Sequence, residues 1–247
     1  MNVNTIDHDM VENFSTISNR VNLHCTILGN ANNVPIIMLK QKKSKNNKPK
    51  LLLASGFHGN EPGGVLAVQR AIQVLPKSLF DSVSLTILPL INPHGFKNLN
   101  RLNKQNKDPN RGFCHTRIIK NKSSIEGQIL LDNFSMLLDA AQDGFMSLHE
   151  DPDQKRFYIY SSSINNKIMG FRSLGSKCFG LVSNGTIYDD PISGGIIYQR
   201  CDGSFEDKLN HEGVKFTACV ELPGHREIEE RVICGSILIK SFMESSL

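Results

Sequence analysis

Leu51-Leu52-Leu53-Ala54-Ser55-Gly56-Phe57-His58-Gly59-Asn60-Glu61-Pro62-Gly63-Gly64 begins as an unbroken apolar run and ends in a polar, glycine-rich turn. The run suits a strand buried on both faces, as in a parallel sheet. Glycines on either side of His58 and Glu61 let the backbone turn sharply. Val65, Val68, Ile72 and Leu75 then fall on one face of a helix, and Pro76 stops it. Strand, turn and amphipathic helix in succession form the opening of a βαβ unit.

Similar units follow. Val83 to Ile91 reads as a second buried strand, ending at Asn92-Pro93-His94-Gly95 and a polar loop from Phe96 to Phe113. Ser123-Ser124-Ile125-Glu126 reads as a capping box, opening a long amphipathic helix through Leu138. Phe145 to Leu148 is a short strand before His149, and Phe157 to Tyr160 another. Residues 161–212 read as loop-rich, Phe216 to Val220 as a strand, and Ile228, Val232, Ile239 and Phe242 as one face of a final helix. Upstream, residues 7–19 suggest a helix, and Val21 to Leu28 and Val34 to Leu39 a strand pair. Strands alternating with helices argue an α/β fold, mainly parallel, with helices on both faces. No repeat or linker-like composition interrupts it, so 1–247 is expected to be a single domain.

Composition narrows the function. Of 247 residues, 39 % are hydrophobic and 21 % charged, which excludes a disordered or fibrous chain. No apolar run is long enough to cross a membrane as a helix. The net charge of +4 is mild. Six lysines lie within Lys40–Lys50, but no aromatic interleaves them to stack on bases, so a solvated loop is expected and nucleic acid is not. The first residues lack a basic and then apolar leader, and the six cysteines form no C-x-x-C. A cytoplasmic protein with reduced thiols is the expectation.

Sites in open α/β sheets form beyond the carboxyl ends of the strands. Four such ends carry polar residues here: His58 with Glu61, Asn92 to Gly95, His149, and Glu221. A histidine and a carboxylate three apart in a tight turn can converge on one metal ion, and His149 can supply a third ligand. Two histidines and a glutamate with water are a recurrent catalytic zinc set. Arg101 and Arg111 share one polar loop, and guanidinium groups suit a carboxylate or developing oxyanion charge. Glu221 ends an apolar strand, where a carboxylate is costly unless paired or used; beside an activated water it could act as general base. Period-two geometry puts Thr217, Cys219 and Glu221 on one face.

Taken in order, H-x-x-E, N-P-x-G, R…D-x-N-R, S-x-H and a strand ending in Glu resemble the zinc carboxypeptidase superfamily along residues 51–224. That group includes metallocarboxypeptidases, murein-peptide amidases and the succinylglutamate desuccinylase/aspartoacylase branch. The 88 residues from Glu61 to His149 and the ten from Arg101 to Arg111 are similar to its compact members. The resemblance implies a mixed, mostly parallel eight-stranded sheet between helices. It implies one zinc per chain on His58, Glu61 and His149, with Arg101 on the scissile carbonyl and Glu221 activating water. Asn110 and Arg111 would grip a substrate carboxylate. Tyr198 matches the region of a substrate-facing tyrosine, with Tyr188 a second candidate. The implied activity is amide hydrolysis beside a carboxylate, by a carboxypeptidase or peptide amidase; the alternative is a deacylase of N-acyl amino acids. The substrate would be a small peptide or an N-acyl amino acid. His8, His24, His94, His115, His211 and His225 are read as surface, turn or packing residues.

Overall fold

The computed structural model describes residues 6–41, 47–114, 122–198 and 202–247. The centre of the lysine run, His115 and Cys201 lie outside the described residues, as does the side chain of His8. In chain order the elements are α1 (Ile6–Ser18), β1 (Leu23–Ala31), β2 (Val34–Gln41), β3 (Lys50–Ser55), α2 (Pro62–Val74), α3 (Lys77–Ser82), β4 (Ser84–Leu88), α4 (Pro93–Asn98), α5 (Ile125–Asp132), α6 (Phe134–Ala140), β5 (Gly144–Asp151), β6 (Tyr158–Ser161), α7 (Asn166–Phe179), β7 (Asn184–Ile187), β8 (Asp190–Ser193), β9 (Ile196–Tyr198), α8 (Phe205–His211), β10 (Thr217–Pro223) and α9 (Ile228–Glu244).

Among the described residues the strands form one mixed sheet of ten, ordered β1-β2-β4-β3-β5-β10-β6-β9-β8-β7. The expected α/β architecture holds, with ten strands where eight were expected. Its centre, β4-β3-β5-β10, is parallel; antiparallel pairs extend both edges, apart from the parallel pair β6–β9. From β3 the chain crosses to β4 on one side, then returns to place β5 on the other. The carboxyl ends of β3 and β5 therefore flank a topological switch point, where a crevice opens in such sheets.

Alternation along the central strands sorts their side chains between two layers. Leu51, Leu53, Met146, Leu148, Ala218, Val220 and Leu222 pack on one face with α1, α2, α7 and α9. Leu52, Ala54 and Phe145 pack on the other with α5, α6 and α8. Ser147 and His149 of β5, and Cys219 and Glu221 of β10, belong to this second face by the same period. Parallel pairing sets Glu221 directly beside His149.

Several local expectations change. Residues 161–212 are not loop-rich: they hold α7, β7, β8, β9 and α8. Gly170 and Gly175 weaken the helical reading of α7. Gly175 is nonetheless required there, because a Cβ would fall 2.1 Å from the Phe157 ring. The long helix after residue 124 breaks at Asn133 into α5 and α6. The cap is Ser124, whose Oγ accepts from Gly127 N, and Glu126 takes the amide of Asn103 rather than reaching back to the helix. On α9 the buried face runs through Cys234, Leu238, Ile239 and Phe242, while Ile228 is exposed. No disulfide forms among the described cysteines.

Candidate active site

Gly56 adopts φ +67°, which turns the chain out of β3 into the H-x-x-E segment. Gly59 then lies against the next turn so closely that a Cβ would fall 1.8 Å from the Gly95 carbonyl carbon. Asn92 ties the two turns together. Its N–H donates to Gly56 O at 2.8 Å, its Oδ1 accepts from Gly95 N at 2.9 Å, and its Nδ2 donates to Arg101 O at 3.3 Å. The N-P-x-G motif thus holds His58 and Arg101 in fixed relation, with His94 half-buried in α4.

Glu61 occupies the N-cap position of α2, yet its side chain makes no capping hydrogen bond. It points to the histidines instead. Its Oε1 lies 2.7 Å from His58 Nδ1, its Oε2 lies 3.0 Å from His149 Nδ1, and the two Nδ1 atoms are 3.3 Å apart. All three residues are buried. Burial opposes charge on Glu61, but the two histidines overcome it and hold its carboxyl well below the usual range.

This donor set fits a single metal ion. His58 Nδ1, His149 Nδ1 and a Glu61 oxygen lie within 4.8 Å of one another. Neighbouring corners of a tetrahedron with ~2.0–2.1 Å bonds are ~3.3–3.4 Å apart, close to the Nδ1 separation. The outer nitrogen of His58 faces Asp108 Oδ1 at 3.1 Å, the arrangement in which a carboxylate orients a ligating imidazole. Two nitrogen donors this close, with no proton acceptor other than Glu61 between them, are relieved by a shared cation.

The three residues form one end of a cavity of about 590 Å³, also lined by Arg101, Arg111, Glu206, Cys219 and Glu221. Arg101 reaches in from solvent, with Nη1 3.1 Å from Glu61 Oε1 and Nη2 3.4 Å from Asp108 Oδ2. Arg111 pairs with Asp202 Oδ2 at 3.2 Å. Cys219 Sγ sits 3.5 Å from Glu221 Oε1. Burial, reinforced by the charges of Glu61 and Asp151, pushes the Glu221 carboxyl up to about 8 against the pull of His149.

Two expected contacts take another form. Asn110 is buried and turned inward: Nδ2 donates to Glu206 Oε2 at 3.0 Å, and Oδ1 accepts from Phe205 N at 2.9 Å. Both ends of its amide are engaged within the protein, while the residue, like Arg111, lines the cavity. Tyr198 is 61 % exposed at the end of β9 and does not line the cavity. Tyr188, at the β7–β8 turn, does, and its hydroxyl donates to Asp151 Oδ1 at 3.0 Å. His24, His211 and His225 are exposed and away from the cavity.

Glu206 and Glu150 carried no functional signal in the sequence. Glu206 lies in the first turn of α8, where an acid reads as helix-terminal chemistry. Glu150 follows His149 but faces the opposite layer, where Arg231 Nη1 donates to its Oε1 at 2.6 Å. The pair joins α9 to the start of α2, where a Cβ on Gly63 would fall 2.0 Å from Glu150 Oε1. Arg231→Met leaves that carboxylate buried without its partner and is expected to cost ~3–5 kcal/mol. Denaturant unfolding measures it, and adding Glu150→Gln should restore most of the loss.

Residues 47–159 match the succinylglutamate desuccinylase/aspartoacylase catalytic domain family. Among solved structures, a candidate metallopeptidase from Shewanella denitrificans is 31 % identical, with 97 % of this chain and 90 % of that one covered and a TM-score of 0.89. A metallo-carboxypeptidase from Burkholderia cenocepacia shares the fold at 14 % identity, with 96 % and 68 % of the two chains covered and a TM-score of 0.74. So does the murein-tripeptide amidase MpaA from Escherichia coli O157, at 16 % identity, 89 % and 91 % coverage and a TM-score of 0.63. No curated protein matches the chain. On its fold, its ordered motifs and this similarity, the chain belongs to the zinc carboxypeptidase-like superfamily.

Proposed function

We propose that the chain is a zinc-dependent hydrolase that cleaves an amide bond beside a substrate carboxylate. The observation that carries this reading is the convergence of His58, Glu61 and His149 in a cavity that also holds Glu221, Arg101 and Arg111. Residues 1–247 act as one catalytic unit, in the cytoplasm. Names borne by similar structures, metallopeptidase, carboxypeptidase and amidase, support hydrolysis.

His58, Glu61 and His149 would hold one zinc ion, and the chemistry it supplies when bound is Lewis acidity toward a carbonyl and toward water. Glu221, as carboxylate, takes a proton from the attacking water and passes it to the leaving nitrogen. Atoms balance: the acyl carbon gains the hydroxyl, and the nitrogen leaves as an amine. Arg101, with its charge at the edge of the Glu61 carboxylate, stabilises the oxygen that becomes negative as the carbonyl is attacked. Arg111 receives the substrate carboxylate in place of Asp202. Each residue thus acts on a different atom of the scissile group.

The match of residues 47–159 to the desuccinylase/aspartoacylase domain favours a second reading, deacylation of N-acyl amino acids. A substrate panel separates the two. Peptides with a free C-terminus should turn over, and the same peptides amidated should lose most of kcat/KM. Turnover of N-acyl amino acids with none of the peptides would establish the deacylase instead.

A further inference from the structure

The two histidines differ in what meets the nitrogen facing away from the proposed metal. His58 Nε2 has Asp108 at 3.1 Å. His149 Nε2 is buried and has no hydrogen-bond partner. The nearest ion-pair oxygen is Glu206 Oε1, at 3.7 Å. That gap exceeds the upper range of an N–H···O bond by ~0.5 Å, a distance within the amplitude of ordinary side-chain motion.

Glu206 is built into the protein interior. It is 1 % exposed. Asn110 Nδ2 donates to its Oε2 at 3.0 Å, and the Ser147 hydroxyl donates to its Oε1. The preceding residue, Phe205, seats α8 by ring contacts with Phe57, Phe113, Phe134 and Phe145. Both hydrogen-bond donors are neutral, and a buried carboxylate is costly unless a cation compensates it. Among the described residues, the one ion-pair partner of Glu206 is His149. The His149 ring is itself held in plane by Phe57, stacked at 5.6 Å between centroids and 11° between planes.

We infer that Glu206 is a positioning residue of the metal centre: its carboxylate accepts the Nε2–H of His149 and thereby keeps Nδ1 as the ligating nitrogen. The inference rests on the reading of His149 as a metal ligand. A neutral imidazole has one N–H and one lone pair, so an acceptor at Nε2 fixes the lone pair on Nδ1. Asp108 does this for His58, and Glu206 does it for His149. Asn110 then acts through Glu206, linking the loop that carries Arg111 to the metal centre.

The test compares wild type with Glu206→Gln, which keeps the size of the side chain and removes its charge. Zinc affinity is measured by competition with a chromophoric chelator, and thermal unfolding of the metal-free proteins reports the fold. The expected result is a ~10–100-fold loss of zinc affinity with the metal-free fold retained. Imidazole nitrogen NMR of zinc-loaded wild type adds a readout that a merely structural role would not move, and it stands if the variant does not fold. His149 should show a protonated Nε2 whose proton is shifted downfield and exchanges slowly. Unchanged zinc affinity in Glu206→Gln, or a His149 Nε2 without its proton, overturns the inference. Two zinc ions per chain, the second lost in both Glu206→Gln and Cys219→Ser, also overturns it, because Nε2 would then be a ligand. Wild type that takes up no zinc overturns the underlying reading as well, which separates that failure from the others.

Discussion

His58→Ala should purify without zinc and without detectable turnover. Wild type is expected to hold about one ion per chain on His58, Glu61 and His149, because the other three-residue donor group among the described residues, His149 with Glu206 and Cys219, shares His149 with it. His58 contributes one of the two nitrogen donors, 2.7 Å from Glu61 and 3.3 Å from His149. Without it, Glu61 and His149 remain as two donors, and Arg101, 3.1 Å from Glu61 Oε1, is free to neutralise the carboxylate. Asp108 loses its imidazole partner and keeps Arg101 at 3.4 Å and the backbone N–H of Asn110 at 2.8 Å. The fold should persist, since the Gly59–Gly95 contact and the Asn92 hydrogen bonds do not involve the imidazole. Elemental analysis of untagged protein and circular dichroism check the two halves of the prediction. A variant that keeps its zinc would remove His58 from the donor set.

Glu221→Gln should do the reverse: keep the metal and lose turnover. Glutamine has the size of glutamate and cannot accept the proton from water. Loss of general base catalysis lowers kcat by ~10²–10⁴-fold. KM should change little, because the substrate contacts proposed for Arg101 and Arg111 do not involve Glu221. The position is specified by register, since Glu221 pairs directly with His149 across β10 and β5. Burial and the nearby carboxylates push the Glu221 carboxyl up to about 8, so its surroundings favour gaining a proton. That tendency suits a group that must take a proton and give it back. Steady-state kinetics with zinc content measured on the same sample tests the prediction. A kcat within a few-fold of wild type would place the base elsewhere.

The central strands were legible because each is an unbroken or alternating apolar run, and burial on both faces leaves that pattern in the residues themselves. Leu51 to Ser55 and Phe216 to Val220 needed no partner to be read. The polar residues beyond them were legible for a related reason. A histidine or carboxylate at the end of a buried strand is costly, so His58, Glu61, His149 and Glu221 stood out against their apolar neighbours.

Tertiary structure alone decided what those residues touch. Asn110 and Glu206 are 96 positions apart, and Glu150 and Arg231 are 81 apart. No local periodicity relates such pairs; strand order and register bring them together. Asn110 turns inward because α8, seated by Phe205 in an aromatic cluster, presents Glu206 and a backbone N–H to it. Helix α7 escaped the sequence reading because its glycines weaken helix propensity, whereas the Phe157 ring leaves no room for a Cβ at Gly175. Tyr198 and Tyr188 exchange places for the same kind of reason: the β7–β8 turn, formed only when the edge strands pair, brings Tyr188 to the cavity wall. Sequence by itself determined the sheet's centre and the chemical groups at its carboxyl edge, because burial is written locally. Partners across the chain, and so the placing of Glu206 beside His149, came from packing, because that depends on contacts no short stretch contains.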